Sequence, residues 1–203
     1  MIAIIDYGVG NLYSLSSSLS YLGIENIVTN KIQDLQKADK IILPGVGAFK
    51  DAIKKLENSN LIDTLKQEIK NGKHILGICL GMQILFETSY EYGKHKGLGL
   101  IEGDIIPLEN NLTNKNLKVP HIGWNKLDIT KDDAIFKYSN KNDYVYYVHS
   151  YYAKTDNKNI LATSEYSIDV TGVVKNKNVY GMQFHPEKSG NAGLNLLKAF
   201  NEL

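Results

Sequence analysis

A single cysteine with glycine two residues to either side, Gly77-Ile78-Cys79-Leu80-Gly81, joins one short apolar run to another. Ile75, Leu76 and Ile78 read as a buried strand, and Met82 to Phe86 suit a helix packed on it. A nucleophile on a sharp strand-to-helix turn needs small residues at those flanking places, because the turn crowds the backbone there. Such an elbow exposes the sulfur at the carboxyl end of its strand and at a helix N-terminus, where the dipole favours thiolate. The same segment also suits an inert thiol buried among Ile, Leu and Met. The remainder of the chain has to decide between these readings.

Around the elbow, strands and helices alternate. Ala3, Ile4 and Ile5 give a strand, the turn Asp6-Tyr7-Gly8-Val9-Gly10-Asn11 follows, and Leu12, Leu15, Leu19 and Leu22 recur at helical spacing before Gly23. Gly8 and Gly10 begin a dinucleotide fingerprint, but Tyr13 stands where its third glycine belongs. The turn is better read as one that lets another molecule or loop approach the backbone closely. Ile24 to Thr29 and Lys40 to Leu43 are further strands, the latter followed by Pro44-Gly45-Val46-Gly47. Helices are expected from Ala48 to Glu57 and near Leu61 to Asn71. This alternation predicts a parallel sheet covered on both faces, with ligands beyond the strands' carboxyl ends.

After Thr88 short apolar segments dominate: 99–106, 117–122, 124–129, 144–153, 160–164, 168–175 and 178–185, with a hairpin turn over Lys175-Asn176-Lys177-Asn178. A last helix runs from about Asn191 to Phe200. The fold class is therefore α/β: a mostly parallel central sheet with helices on both faces and antiparallel strands added in the C-terminal half. At 203 residues, without repeats or a linker, the chain reads as one domain over 1–203. A formal net charge of +1 makes no case for nucleic acid or an anionic membrane. One cysteine excludes an internal disulfide, and Met1 to Asp6 enter a strand without a basic leader, so a cytoplasmic protein is expected.

The final strand bears on the nucleophile. Val179 to Phe184 runs into His185-Pro186-Glu187, and a strand period of two puts His185 and Glu187 on one face. A carboxylate beside an imidazole fixes its tautomer and favours imidazolium, as a base serving a nucleophile requires. Cys79, His185 and Glu187 then complete a triad. An oxyanion hole needs backbone N–H groups aimed at the developing charge. Leu80, directly after the nucleophile, offers one, and the Val46 and Gly47 peptides, in a loop with glycine on each side of Val46, offer another.

With these residues in view, the chain resembles the class I (triad) glutamine amidotransferases, and among them the glutaminase subunits of imidazole glycerol phosphate synthases. The matching segments are Ile5-Asp6-Tyr7-Gly8-Val9-Gly10-Asn11, Pro44-Gly45-Val46-Gly47-Ala48-Phe49, Gly77-Ile78-Cys79-Leu80-Gly81-Met82-Gln83 and Gly97-Leu98-Gly99-Leu100-Ile101. Pro120-His121-Ile122-Gly123-Trp124-Asn125, Val148-His149-Ser150-Tyr151-Tyr152 and Phe184-His185-Pro186-Glu187-Lys188-Ser189 complete them, in the family's order and over nearly the whole chain.

The resemblance implies the family's three-layer, flavodoxin-like fold and hydrolysis of L-glutamine through a thioester on Cys79, with no cofactor and no metal. It implies glutamine held by Gly45, Gln83, Glu91, Ser150 and Tyr151, with Glu87 an alternative to Glu91. It further implies a heterodimer with a cyclase subunit, a (β/α)8 barrel that receives the ammonia for histidine biosynthesis, docked near Val9, Gly10, Asn11 and Lys188. His121 and His149 are expected in structural or interface roles. Three other readings stay open: a paralogue supplying ammonia to another synthase, such as one amidating a sugar; a hydrolase of γ-glutamyl compounds or peptides that uses the triad without a synthase; and a doubly wound binding module without catalysis.

Overall fold

The computed structural model describes residues 1–203. Fourteen strands and six helices follow one another as β1 (Ile2–Ile5), α1 (Leu12–Tyr21), β2 (Asn26–Thr29), α2 (Ile32–Lys37), β3 (Lys40–Leu43), α3 (Phe49–Asn58), α4 (Ile62–Lys70), β4 (His74–Ile78), α5 (Leu80–Ile84), β5 (Phe86–Ser89), β6 (His95–Lys96), β7 (Ile101–Pro107), β8 (His121–Lys126), β9 (Asp128–Ile129), β10 (Tyr144–His149), β11 (Tyr151–Lys154), β12 (Ile160–Glu165), β13 (Asp169–Asn176), β14 (Val179–Met182) and α6 (Gly190–Glu202). The central sheet has the order β2-β1-β3-β4-β14-β13-β12-β9. Its first five strands are parallel, and β13, β12 and β9 continue it antiparallel. The sheets β11-β7-β5-β6 and β10-β8 stand apart from it.

Three layers follow from the period-two alternation of apolar strands. Ala3, Ile5, Ile41, Leu43 and Ile75 enter one core with Leu35 of α2, Leu56 of α3, Leu65 of α4 and Met82 of α5. Ile2, Ile4, Ile42, Leu76, Ile78, Tyr180 and Met182 enter the other, with Leu15 and Leu19 of α1 and Leu196, Leu197 and Phe200 of α6. Strands buried on both faces have to be apolar, which is how β1 reads, and β3 and β4 after their first residues, Lys40 and His74. No helix is long and apolar enough to cross a membrane.

Several expected boundaries differ. The helix after the elbow ends at Ile84 and Phe86 begins β5, because Leu98, Gly99 and Leu100 donate their N–H groups to the carbonyls of Ile84, Phe86 and Leu85. The segment 117–120 is not a strand; Pro120 has no N–H for a ladder, and β8 starts at His121. The expected strand 144–153 breaks at Ser150 into β10 and β11, which belong to different sheets. Strand β14 stops at Met182, short of His185. Helix α2 was not expected, since Leu35 is its one buried residue and leaves no apolar periodicity to read.

Candidate active site

The carboxyl ends of three adjacent strands supply the parts of one site. Strand β3 runs into Pro44-Gly45-Val46-Gly47, β4 into Cys79, and β14 leads to His185. The Cys79 N–H donates to Met182 O at 2.7 Å, locking the elbow to the end of β14. Cys79 has φ 54° and ψ −112°, a left-handed backbone that a side chain adopts only when its surroundings hold it there. The flanking glycines permit that turn sterically. A Cβ on Gly81 would lie 1.9 Å from Leu43 O, and one on Gly77 would lie 2.7 Å from Met82 Cα.

His185 and Glu187 meet by a route other than the expected strand alternation. His185 caps a 3-10 turn, Pro186–Lys188, and that turn carries Glu187 back to the imidazole. His185 Nδ1 donates to Glu187 Oε1 at 2.9 Å, which leaves Nε2 as the ring nitrogen available to Cys79 in the same cleft. Both side chains of the ion pair are nearly inaccessible. The His185 backbone is pinned as well: its N–H donates to Tyr146 O, and Ser189 Oγ donates to its carbonyl at 2.6 Å. Burial opposes a charged imidazole, but hydrogen bonds and charge from Cys79 and Glu187 together outweigh it and raise the His185 pKa to about 10. Asn11, expected near a partner, also reaches the triad, donating Nδ2 to the same Glu187 oxygen at 3.3 Å.

A cleft of ≈ 320 Å³ opens over Cys79, lined by Val46, Gly47, Leu80, Gln83, Glu91, Pro120, Val148, His149, Ser150, Tyr151 and His185. That size falls in the range of small-molecule sites, about 300–1,000 Å³. Gly45 lies just behind its wall, its α-carbon so close to the elbow that a Cβ would be 2.5 Å from Gly81 N. The loop is held from below by the Tyr7 hydroxyl, which donates to Pro44 O at 2.7 Å. Beyond that anchor Val46 is 41% exposed and Gly47 has φ +92°, a conformation that suits glycine. Leu80, as the first residue of α5, has an N–H with no acceptor inside its helix.

Glu91 and Glu87 part company. Glu91 lines the cleft and accepts the Phe49 N–H at the start of α3; burial raises its pKa despite that hydrogen bond. Glu87 instead accepts the Gly103 N–H at 3.0 Å. His149 is in the cleft wall, yet it belongs to a pair with His121 (3.0 Å) rather than to the nucleophile. Burial lowers the pKa of His149 to about 3 and of His121 to about 4, so both are neutral. Val9, Gly10 and Asn11 occupy the loop after β1, and exposed Lys188 the turn beside Glu187. Sequence reasoning missed Gln183, fully buried, with Nε2 3.8 Å from Cys79 Sγ. Its signal was a lone amide in the apolar run from Val179 to Phe184.

A nucleophile, an imidazole bridged to a buried carboxylate, and backbone N–H groups beside the sulfur are the parts of acyl transfer through a thioester. The profile of the family described as "Glutamine amidotransferase class-I" matches residues 3–202. The chain belongs to this family. Among relatives, the chain is 47% identical over 203 residues to a Listeria monocytogenes protein (serotype 4a, strain HCC23) named imidazole glycerol phosphate synthase subunit HisH, covering 100% of this chain and 96% of the relative. A protein of the same name from Caldanaerobacter subterraneus subsp. tengcongensis is 46% identical over 204 residues, covering 100% and 98%. A crystal structure of a glutamine amidotransferase superposes with a TM-score of 0.76 at 17% identity, covering 99% of this chain and 100% of that one. The structure of PurLQS from Thermotoga maritima superposes at 0.75 and 20% identity, covering 99% and 97%. These two likenesses establish the amidotransferase fold.

Proposed function

We propose that the chain is the glutaminase subunit of an imidazole glycerol phosphate synthase, acting as one amidotransferase domain over residues 1–203 in the cytoplasm. Cys79 thiolate attacks the side-chain amide carbon of L-glutamine, and the oxyanion is met by N–H groups of Leu80 and of the Val46–Gly47 loop. The His185 imidazolium gives its proton to the leaving nitrogen, and ammonia departs as the γ-glutamyl thioester forms. His185, now neutral, takes a proton from water, which attacks the thioester; glutamate leaves and Cys79 is regenerated. Glu187 keeps Nδ1 protonated throughout. Glu91 receives the substrate ammonium, Gln83 its polar atoms, and main chain at Gly45, Ser150 and Tyr151 its carboxylate and backbone.

The observation that carries this reading is the hydrogen-bonded His185–Glu187 pair beside Cys79 at the wall of a cleft, in a chain similar along its whole length to synthase subunits. Ammonia released into neutral water becomes mostly ammonium, which is not nucleophilic. It therefore passes to a cyclase subunit, a (β/α)8 barrel docked over the edge that carries Val9, Gly10, Asn11 and Lys188. The full-length likeness to proteins of that synthase favours histidine biosynthesis over amidation of a sugar. Glutamine hydrolysis measured with and without the cyclase and its ligand tests the assignment. Turnover rising on addition of the cyclase supports it, and a rate that responds only to a different synthase overturns the pathway.

A further inference from the structure

A chain of hydrogen bonds with one possible direction ends on the nucleophile. Tyr151 O, a carbonyl, can only accept, and it receives His149 Nδ1 at 2.9 Å and Gln83 Nε2 at 3.0 Å. His149 is neutral, so its Nε2 accepts from His121 Nδ1 at 3.0 Å, and His121 Nε2 accepts from the Asn125 amide at 3.3 Å. On the other side, Gln83 gives its second amide hydrogen to Gln183 Oε1 at 3.1 Å. With that oxygen engaged, Gln183 Nε2 is turned to Cys79 Sγ at 3.8 Å. The opposite flip would leave Gln83 facing nitrogen with nitrogen, since its Nε2 is already fixed as the donor to Tyr151 O. Gln183 has 0% exposure and its backbone is tied to Gly172 O, so the side chain has no solvent alternative.

We infer that Gln183 positions Cys79 by donating an amide N–H to the thiolate, and that Gln83, which lines the cleft, holds it in that orientation. The side chain touched by substrate thereby also sets the nucleophile. The kinetic half of this inference rests on the glutaminase reading above; the bond itself does not.

The test uses the full chain, in which Cys79 is the sole thiol and alkylation by iodoacetamide is unambiguous. Gln183→Met keeps length and burial but removes the N–H. A hydrogen bond to the charged form favours it, so the pH midpoint of alkylation rises by about one unit, and kcat for glutamine, measured with the cyclase present, falls about tenfold while KM moves less than about threefold. The other titratable groups around the sulfur, His185 with Glu187, Tyr7 and His149, are unchanged by the substitution. An unshifted midpoint overturns the inference, because a residue that only fills space would not move it. Should Gln183→Met fail to fold, Gln183→Leu, likewise neutral and without an N–H to donate, reads the same midpoint, and an unshifted value there overturns the inference equally. A wild-type chain that turns over no glutamine with the cyclase and its ligand present overturns the glutaminase reading, while the alkylation midpoint still decides the role of Gln183.

Discussion

Replacing Gly81 by alanine probes the elbow at its tightest point. The added Cβ would sit 1.9 Å from Leu43 O and 3.0 Å from the Pro44 carbonyl carbon. A carbon normally keeps about 3.3 Å from a carbonyl oxygen, so more than 1 Å must be found. Both sides of the contact are backbone, one the end of β3 and the other the elbow, and neither can give as a flexible side chain does. Overpacking of this kind costs about 1–3 kcal/mol, and backbone opposition puts Gly81→Ala at the upper end. Three kcal/mol lowers the melting temperature of a chain this size by about 6–12 °C. The activity loss should exceed what instability explains, since a displacement of about 1 Å between nucleophile and partner groups costs on the order of 10²-fold in rate. Thermal melts and glutaminase rates below the melting range measure both. Gly23→Ala is the control: nothing lies within 4 Å of its added Cβ, and only its φ of +72° is strained. If Gly81→Ala melts and turns over glutamine no worse than Gly23→Ala, the steric account of the elbow is wrong.

Glu187→Gln should lower kcat by about 10²-fold, at the lower end of what acid–base groups contribute, while the protein still reacts with a glutamine-analogue electrophile; unchanged kcat would remove Glu187 from the triad. Glu91→Gln should raise KM for glutamine about ten- to a hundredfold, the worth of a charged hydrogen bond, with kcat within a few-fold; an unmoved KM would assign the ammonium elsewhere. His149 titrates at about 3 in the folded chain, below its ordinary 6.5, so the unfolded chain takes the proton first and stability falls as pH drops through 6.5 toward 3. Wild type should lose about 2 kcal/mol from this group between pH 7 and pH 5. The stability gap to His149→Gln, from urea midpoints, should shrink by that amount, and a constant gap would contradict a neutral buried His149.

How far the residues revealed the site depends on how local each signal is. The elbow is written into five consecutive residues because steric crowding there leaves glycine as the only fit, and β1, β3 and β4 are readable because burial on both faces makes their interiors apolar. The pairing of His185 with Glu187 was anticipated, but through strand periodicity; a 3-10 turn achieves it, and two residues of extended chain and two of a tight turn look alike in sequence when proline lies between them. Where Glu87 and Glu91 sit turns on Gly103 and Phe49, which are distant in the chain, so spacing could not place either side chain. Gln183 was invisible for the same reason: its partners, Cys79 and Gln83, lie 104 and 100 residues away. Short elements such as α2 and β6 depend on tertiary packing and carry little pattern of their own.

The central claim, that Cys79 makes ammonia for chemistry on another subunit, is tested most directly by Cys79→Ser in complex with the cyclase. Product formation should be lost with glutamine as nitrogen donor and should continue at the wild-type rate with added ammonium salt at alkaline pH. Retained glutamine-dependent synthesis would remove Cys79 from the reaction, and failure of ammonia to rescue the complex would contradict the division of labour between the two chains.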